Sequence, residues 1–292
     1  MEYLDKIIIT VIAEDSVLYE SPYWGQHGIS FYLEAFKDKI KSNILVDVAQ
    51  NSQALLYNMK LLSIDPCSID AIVLTHCHYD HTQGVVEILR AIGKKDLPII
   101  AHPDIFRLNF ITSPYLRHVG IMSGDSKKMI EENGGTLYLT DESFTIMPGL
   151  ITTGEVFRQT NFEEVGIPLK TISNENKIVE DIMKDDISVV ASLKDQGMIV
   201  ITGCSHAGIV NILKHSSKLL GLKKFRAILG GFHLIEASRD RIDKTVEALS
   251  LLDIDFISAG HCTGFEAQVA LYEKFKNKFL PLHTGLKFIY EN

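Results

Sequence analysis

The chain has no apolar run long enough to span a bilayer, no basic start followed by a small-residue cleavage site, and no surplus of positive charge. The first absence excludes a transmembrane helix and a membrane partner. The second argues against a secretory leader and for a cytoplasmic protein. A formal net charge of −8 speaks against a broad phosphate-backbone footprint, and so against a nucleic-acid partner, while leaving room for a local basic pocket. Cysteine is scarce, and its four copies do not suit a disulfide framework: Cys77 lies among histidines, Cys204 two residues before His206, and Cys262 directly after His261. Pro- or Ser-rich linkers and short-period repeats are also missing, so one domain over residues 1–292 is expected.

What is present is a patterned α/β chain. Short β-branched or aromatic runs at 7–12, 29–36 and 44–48 predict a meandering sheet. Strand and helix then alternate, with a strand at 71–74, a helix at 85–92 and a strand at 98–101. A short helix is expected at 127–133, and 137–139 with 144–147 read as a hairpin. After 187 the texture recurs: 187–193, 198–202, 225–229 and 256–259 are strand-like, and the last three end in Gly203-Cys204-Ser205-His206, Gly230-Gly231-Phe232-His233 and Gly260-His261-Cys262-Thr263-Gly264. Between the halves, 155–186 is polar and predicts a loop or lid.

The densest chemistry lies in Thr75-His76-Cys77-His78-Tyr79-Asp80-His81-Thr82, directly after the apolar run 71–74. Three imidazoles and a carboxylate within about two turns of chain have no packing rationale. They are the ligands that borderline-soft divalent ions prefer, and a strand end delivers them to a rigid rim.

This stretch resembles the T-H-x-H-x-D-H signature of the metallo-β-lactamase superfamily. The resemblance implies a four-layer αββα sandwich and a pair of divalent ions, zinc first with manganese or iron as alternatives. It implies that His76 and His78 hold one ion, that Asp80 and His81 hold the other, and that His261 joins the second. Asp47, ending an early strand, would buttress the histidine loop. Two positions depart from the usual pattern. Gly203-Cys204 stands where most members carry Gly-Asp with a bridging carboxylate, which leaves Cys204 and His206 as candidates for that place. Thr152-Thr153-Gly154-Glu155 stands where a Pro-Gly-His segment is usual, so either Glu155 is an oxygen ligand or that ligand has moved. The wider string of motifs is similar to a branch of metal-dependent hydrolases, some of whose members are dihydropterin-linked ribofuranosyl-aminobenzene phosphate synthases.

The function expected first is hydrolysis of an ester, lactone, phosphoester or related bond in a small molecule by a metal-activated water, with Asp80 and His206 as candidate catalytic residues. A transferase condensing a dihydropterin pyrophosphate with an aryl-amine ribose phosphate, and a non-catalytic metal-stabilised binding protein, are the alternatives. His233 is open between ligand, substrate contact and structural residue, and Arg158 between an anion contact and a solvated loop charge. The substrate is expected to be anionic or phosphorylated, and the chain to be capable of self-association. His27 and His102 lack comparable context and are assigned surface or core roles.

Overall fold

Alternating side chains decide the layers of the fold, because successive residues of a strand face opposite sides of its sheet. In Lys6–Ala13 the residues Ile7, Ile9 and Val11 face one core while Ile12 and Ala13 face another. In Gly197–Thr202, Ile199 and Ile201 join the first of these cores, and Met198 and Val200 turn to a third. The shared core therefore lies between two sheets, and each sheet has a second apolar face for helices to cover.

The computed structural model describes residues 2–292. One seven-stranded sheet runs in the order Lys287–Glu291, Lys6–Ala13, Ser30–Lys37, Ile40–Val46, Ala71–Val73, Leu97–Ala101 and Gly135–Leu139. Its pairings are antiparallel as far as Ile40–Val46 and parallel beyond. The other large sheet runs Phe279–Pro281, Ile257–Gly260, Lys224–Gly231, Gly197–Thr202, Ser188–Leu193, Leu150–Thr152 and Thr145–Met147, with Asp253–Ile254 alongside Lys224–Gly231. Helices Ser52–Leu61 and Val85–Ile92 pack outside the first sheet. Ile209–Leu220, Arg239–Ser250 and Phe265–Phe275 pack outside the second. The result is the four-layer αββα sandwich expected. Among the described residues no helix is long and apolar enough to cross a membrane.

Two local expectations need correction. Gly135–Leu139 and Thr145–Met147 do not pair with each other. The first joins Leu97–Ala101 in parallel, through the crossover helix Lys127–Glu132, and the second pairs with Leu150–Thr152 in the opposite sheet. Two apolar runs around a polar turn imitate a hairpin locally, but here the turn carries the chain between sheets. The polar 155–186 segment is likewise not all loop: Lys170–Ile172 and Ile178–Glu180 form a hairpin that joins Phe110–Ile111 and Arg117–His118 in a small third sheet.

The ends of the sandwich helices are tied to distant loops. Helix Ile209–Leu220 starts at Gly208, which has no side chain to cap it, and Glu163 accepts hydrogen bonds from Val210 N at 2.8 Å and Asn211 N at 2.9 Å instead. A carboxylate on these orphan N–H groups also meets the positive end of the helix dipole. Glu163→Ala is expected to cost about 1–2 kcal/mol, a fall of several degrees in Tm. A melting curve superimposable on the wild type would remove Glu163 from this role.

Candidate metal centre

Six chain segments bring their ends to one rim. The strands Lys6–Ala13, Ile40–Val46, Ala71–Val73, Gly197–Thr202, Lys224–Gly231 and Ile257–Gly260 all run the same way, so Asp15, Asp47, the 75–82 stretch, Cys204 with His206, His233 and His261 emerge together. Asp47, Ser205, His233 and His261 hold left-handed backbone, with φ of 56°, 63°, 45° and 51°. Such strain in residues with a β-carbon collects at sites where the surrounding structure over-determines the chain. Gly203 is required for a different reason: a Cβ there would lie 2.2 Å from Thr75 Oγ1 and 3.0 Å from Asp47 Oδ2.

Three imidazoles form one pole. His78 Nδ1 lies 3.2 Å from His76 Nε2 and 3.1 Å from His206 Nε2. The opposite nitrogen of each ring is engaged. Thr75 Oγ1 donates to Asp47 Oδ2 at 2.7 Å, so its lone pair accepts from His76 Nδ1 at 3.1 Å. His78 Nε2 faces Asn109 Oδ1 at 3.2 Å, and the Asn109 amide is oriented by donation to Asp181 Oδ2 at 2.7 Å. His206 Nδ1 faces the Val165 carbonyl at 3.3 Å. These outer contacts consume the N–H of every ring and turn bare lone pairs inward, the tautomers a metal requires. Burial, reinforced by mutual repulsion, pushes His76 and His206 well below the ordinary imidazole range. Burial likewise brings His78 down to about 4. Three neutral nitrogens this close repel one another unless a cation lies between them. Nitrogens bound to one tetrahedral zinc at about 2.0–2.1 Å would be separated by roughly 3.4 Å, so the spacing suits such an ion.

A second pole is anionic. Asp80 Oδ2 lies 3.2 Å from His261 Nε2, 3.4 Å from His27 Nε2 and 3.7 Å from His81 Nε2. Burial alone would raise Asp80, but His81 and His261 hold it well below the usual carboxylate range. His81 Nδ1 is anchored by Asp47 Oδ2 at 2.7 Å and His261 Nδ1 by Asp15 Oδ2 at 2.5 Å. His261 Nε2 is enclosed without a properly directed hydrogen bond, an orphan aimed at the same point as Asp80. Cys204 Sγ faces both poles, within 4.8 Å of His76 and His206 on one side and of His81 and His261 on the other. Burial raises its thiol well above the ordinary value, so a neighbouring cation is what would favour the thiolate. By orphaned atoms, tautomers and donor chemistry, the residues present fit divalent metal.

The sequence alternatives Cys204 and His206 are thus both brought to the cluster. Glu155 is not: its carboxylate is 41% exposed and lies near His102 Nε2 at 3.7 Å, because 153–155 leaves the rim after Leu150–Thr152 and His206 occupies the third imidazole position. Arg158 donates to the Ile182 carbonyl at 2.6 Å, away from the ligand atoms. His233 stacks on His206 with ring centroids 4.0 Å apart. Three residues escaped the sequence reading. Asn109 sits in an unpatterned loop and carries no local signal. Asp15 could have been found as the acidic end of a strand at the same rim. His27 was assigned a structural role, yet it bridges Asp15 Oδ1 at 3.0 Å and Asp80.

The chain can now be set beside known proteins. Residues 36–152 match the metallo-beta-lactamase superfamily model. The chain is 42% identical, over 97% of its length and 96% of the relative's, to the 7,8-dihydropterin-6-methyl-4-(beta-D-ribofuranosyl)-aminobenzene-5'-phosphate synthase of Methanocaldococcus jannaschii. It is 31% identical over 94% of its length, and 97% of the relative's, to an uncharacterized protein of the same organism. The crystal structure of Tm1679, a metal-dependent hydrolase of the beta-lactamase superfamily, shares the fold with a TM-score of 0.78 at 23% identity, covering 98% of this chain and all of that one. YhfI from Bacillus subtilis does so with a TM-score of 0.58 at 12% identity, over 98% of this chain and all of that one. The chain belongs to the metallo-β-lactamase superfamily. Within it, the likeness that spans the whole chain at 42% identity is to a synthase, which overturns the expectation of a hydrolase.

One buried carboxylate beside the centre gives a pH signature. Asp186 accepts from Ala207 N at 2.6 Å through Oδ2, its Oδ1 has no partner, and burial pushes it up to about 7. Its folded value lies above the unfolded one, so the unfolded chain releases the proton first and stability is lost as pH rises from about 4 to 7. The loss amounts to about 4 kcal/mol across that window. In metal-free protein, the Tm advantage of Asp186→Asn over wild type is expected to grow from pH 4 to pH 7. A difference that stays flat would show that Asp186 is not protonated in the fold.

Proposed function

We propose that the chain is a metal-dependent transferase that joins a dihydropterin methyl diphosphate to an arylamine bearing a ribose phosphate, releasing pyrophosphate. The observation that carries this reading is identity of 42% to a synthase named for that product, over 97% of this chain and 96% of the relative. In the reaction the amine nitrogen bonds to the methylene carbon as the carbon–oxygen bond to diphosphate breaks. Pyrophosphate departs with the electron pair, and the nitrogen gives up its proton.

The residues assigned to hold two divalent ions are His76, His78 and His206 at one pole and Asp80, His81 and His261 at the other, with Cys204 between them. Zinc suits a set of imidazole, carboxylate and thiolate donors; manganese and iron are the alternatives. Bound there, such ions supply positive charge against a departing diphosphate. The chain's own contribution is orientation. Asp47, Thr75, Asn109 and the Val165 carbonyl hold the rings in their ligand tautomers, and His27 with Asp15 forms the more exposed edge of the site. Asp80, kept ionised by its imidazole neighbours, acts as a ligand rather than as a reservoir for protons.

The reaction is tested by incubating metal-loaded protein with both substrates and following coupled product by mass and pyrophosphate by a linked assay. One pyrophosphate per coupled product is expected. Release of the hydroxymethyl dihydropterin without coupling, or no turnover, would sink the proposal. The metal assignment has its own test in Asp47→Asn, which removes an acceptor from His81 or Thr75 without changing size. Metal affinity is expected to fall by about 10–100-fold, read as metal lost to a competing chelator while the fold persists. Retention equal to wild type would remove Asp47 from that role.

A further inference from the structure

The turns that follow Gly197–Thr202, Lys224–Gly231 and Ile257–Gly260 bring together a third group of metal-type donors, two of which neither pole uses. Cys204, His233 and Cys262 each offer one ligand atom, and these atoms all lie within 4.8 Å of one another. Both cysteines are buried and neither is in a disulfide. Two sulfurs and a nitrogen on one tetrahedral zinc, at about 2.3 Å and 2.0–2.1 Å from the ion, would be separated by roughly 3.5–3.8 Å, which falls inside that limit.

The three turns are fitted around these side chains. A Cβ at Gly231 would come within 2.6 Å of Cys262 Sγ and 2.7 Å of the Gly203 carbonyl oxygen, so only glycine admits the thiol there. Gly231 N donates to that carbonyl at 2.9 Å, and Leu234 N and Ile235 N donate to the Cys262 carbonyl at 2.9 Å and 3.0 Å. The backbone groups of the turns are thus paired, whereas the donor atoms they enclose are not. Cys262 Sγ reaches the Cys204 carbonyl at 3.6 Å, a weak thiol contact. One edge of the His233 ring packs on Gly166, where a Cβ would meet Cδ2 at 2.7 Å and Nε2 at 3.1 Å, while Nδ1 is enclosed with no partner among the described residues. A histidine that merely stacked on His206 would spend that buried nitrogen on a carbonyl or hydroxyl. His233 instead contacts the Cys262 thiol and holds a left-handed backbone, φ 45°, to do so.

We propose that Cys204, Cys262 and His233 form a third metal site, selective for zinc or a softer ion, with the Cys204 sulfur shared between this site and the poles. Two thiols and an imidazole are a softer donor set than the imidazoles and carboxylate of the poles, and such sets discriminate against magnesium, calcium and manganese. Binding of one divalent ion forms two metal–sulfur bonds and one metal–nitrogen bond, and the two thiol protons pass to solvent. The assignment does not rest on the transferase reading, and it has only Cys204 in common with the residues placed at the poles.

Anaerobic titration of the reduced, metal-free chain with cobalt(II) tests the site without recourse to turnover. Cobalt retained after desalting gives the stoichiometry, and thiolate-to-cobalt charge-transfer absorption in the near ultraviolet reports bonds to sulfur. Wild type is expected to hold about three ions per chain and Cys262→Ala about two, with about half of the charge-transfer absorption lost. Equal stoichiometry and equal absorption in the two proteins overturn the assignment. Should Cys262→Ala not fold, His233→Ala decides: the affinity for one ion is expected to fall by about tenfold or more, and an affinity unmoved overturns the site. A Cys262-dependent band in a chain that forms no coupled product would leave this site and remove the reaction. Coupling by a chain that holds two ions and shows no such band would remove the site and leave the reaction.

Discussion

The Asp47 carboxylate is the point through which the rest of the site is held. One oxygen accepts from Thr75 N at 2.7 Å, and the other from Thr75 Oγ1 and His81 Nδ1, both at 2.7 Å. The start of the histidine stretch and the fourth member of that stretch are thereby tied to the end of the neighbouring strand. The same carboxylate touches the other half of the sandwich, since Gly203 packs so closely on Thr75 and Asp47 that no side chain fits. Its backbone is left-handed, a conformation that costs about 1–3 kcal/mol and persists only where the surroundings impose it. Those surroundings are the two sheets, locked face to face by a shared core of strand residues such as Ile9, Val46, Ile201 and Leu229.

From this anchor the outer contacts spread in a consistent direction. Each inward nitrogen is bare because its partner nitrogen is spent on the protein, and each protein partner is itself held. Asn109 is fixed by Asp181, Asp181 by Arg107 Nε at 2.6 Å, and Arg107 also reaches Asp185 Oδ1 at 2.8 Å. Asp185 then accepts from Cys77 N at 2.7 Å, which returns the chain of contacts to the histidine stretch. Burial works against the Arg107 charge, but the adjacent Asp185 raises it above the ordinary guanidinium value. A closed circuit of this kind resists reorganisation, because breaking one buried link strands a charge.

Legibility in the sequence followed how the ligands are delivered. The 75–82 stretch was readable because one strand end carries four donors in a row, and Asp47 and His261 because each closes an apolar run with a recognisable neighbour. Cys204 and His206 were readable as a pair but not as two positions, since only the folded turn shows the thiol facing both poles while the imidazole completes one. Glu155 stayed open between ligand and a moved ligand for the opposite reason: a local match to a motif says nothing of where the following residues travel, and the fold carries Glu155 toward His102 instead. Asn109, Asp15 and His27 each come singly from a different segment, so no spacing records them. The strand 145–147 was paired with the wrong partner because local pattern does not reveal a passage between sheets.

Transfer and hydrolysis on such a centre differ in which nucleophile reaches the carbon. Water needs no anchor, whereas an amine competing with water at about 55 M must be held in place, and effective molarities from positioning can exceed that figure by orders of magnitude. The ligand cluster supplies no such anchor for an acceptor, because its members are buried donors turned toward one another: His76, His81 and His206 have no exposed surface. The anchor has to lie outside the cluster, close enough to aim a tethered amine and chemically distinct from the diphosphate's place. In the proposed reaction, selection against water is therefore exerted by residues that touch neither the metal nor the bond being made.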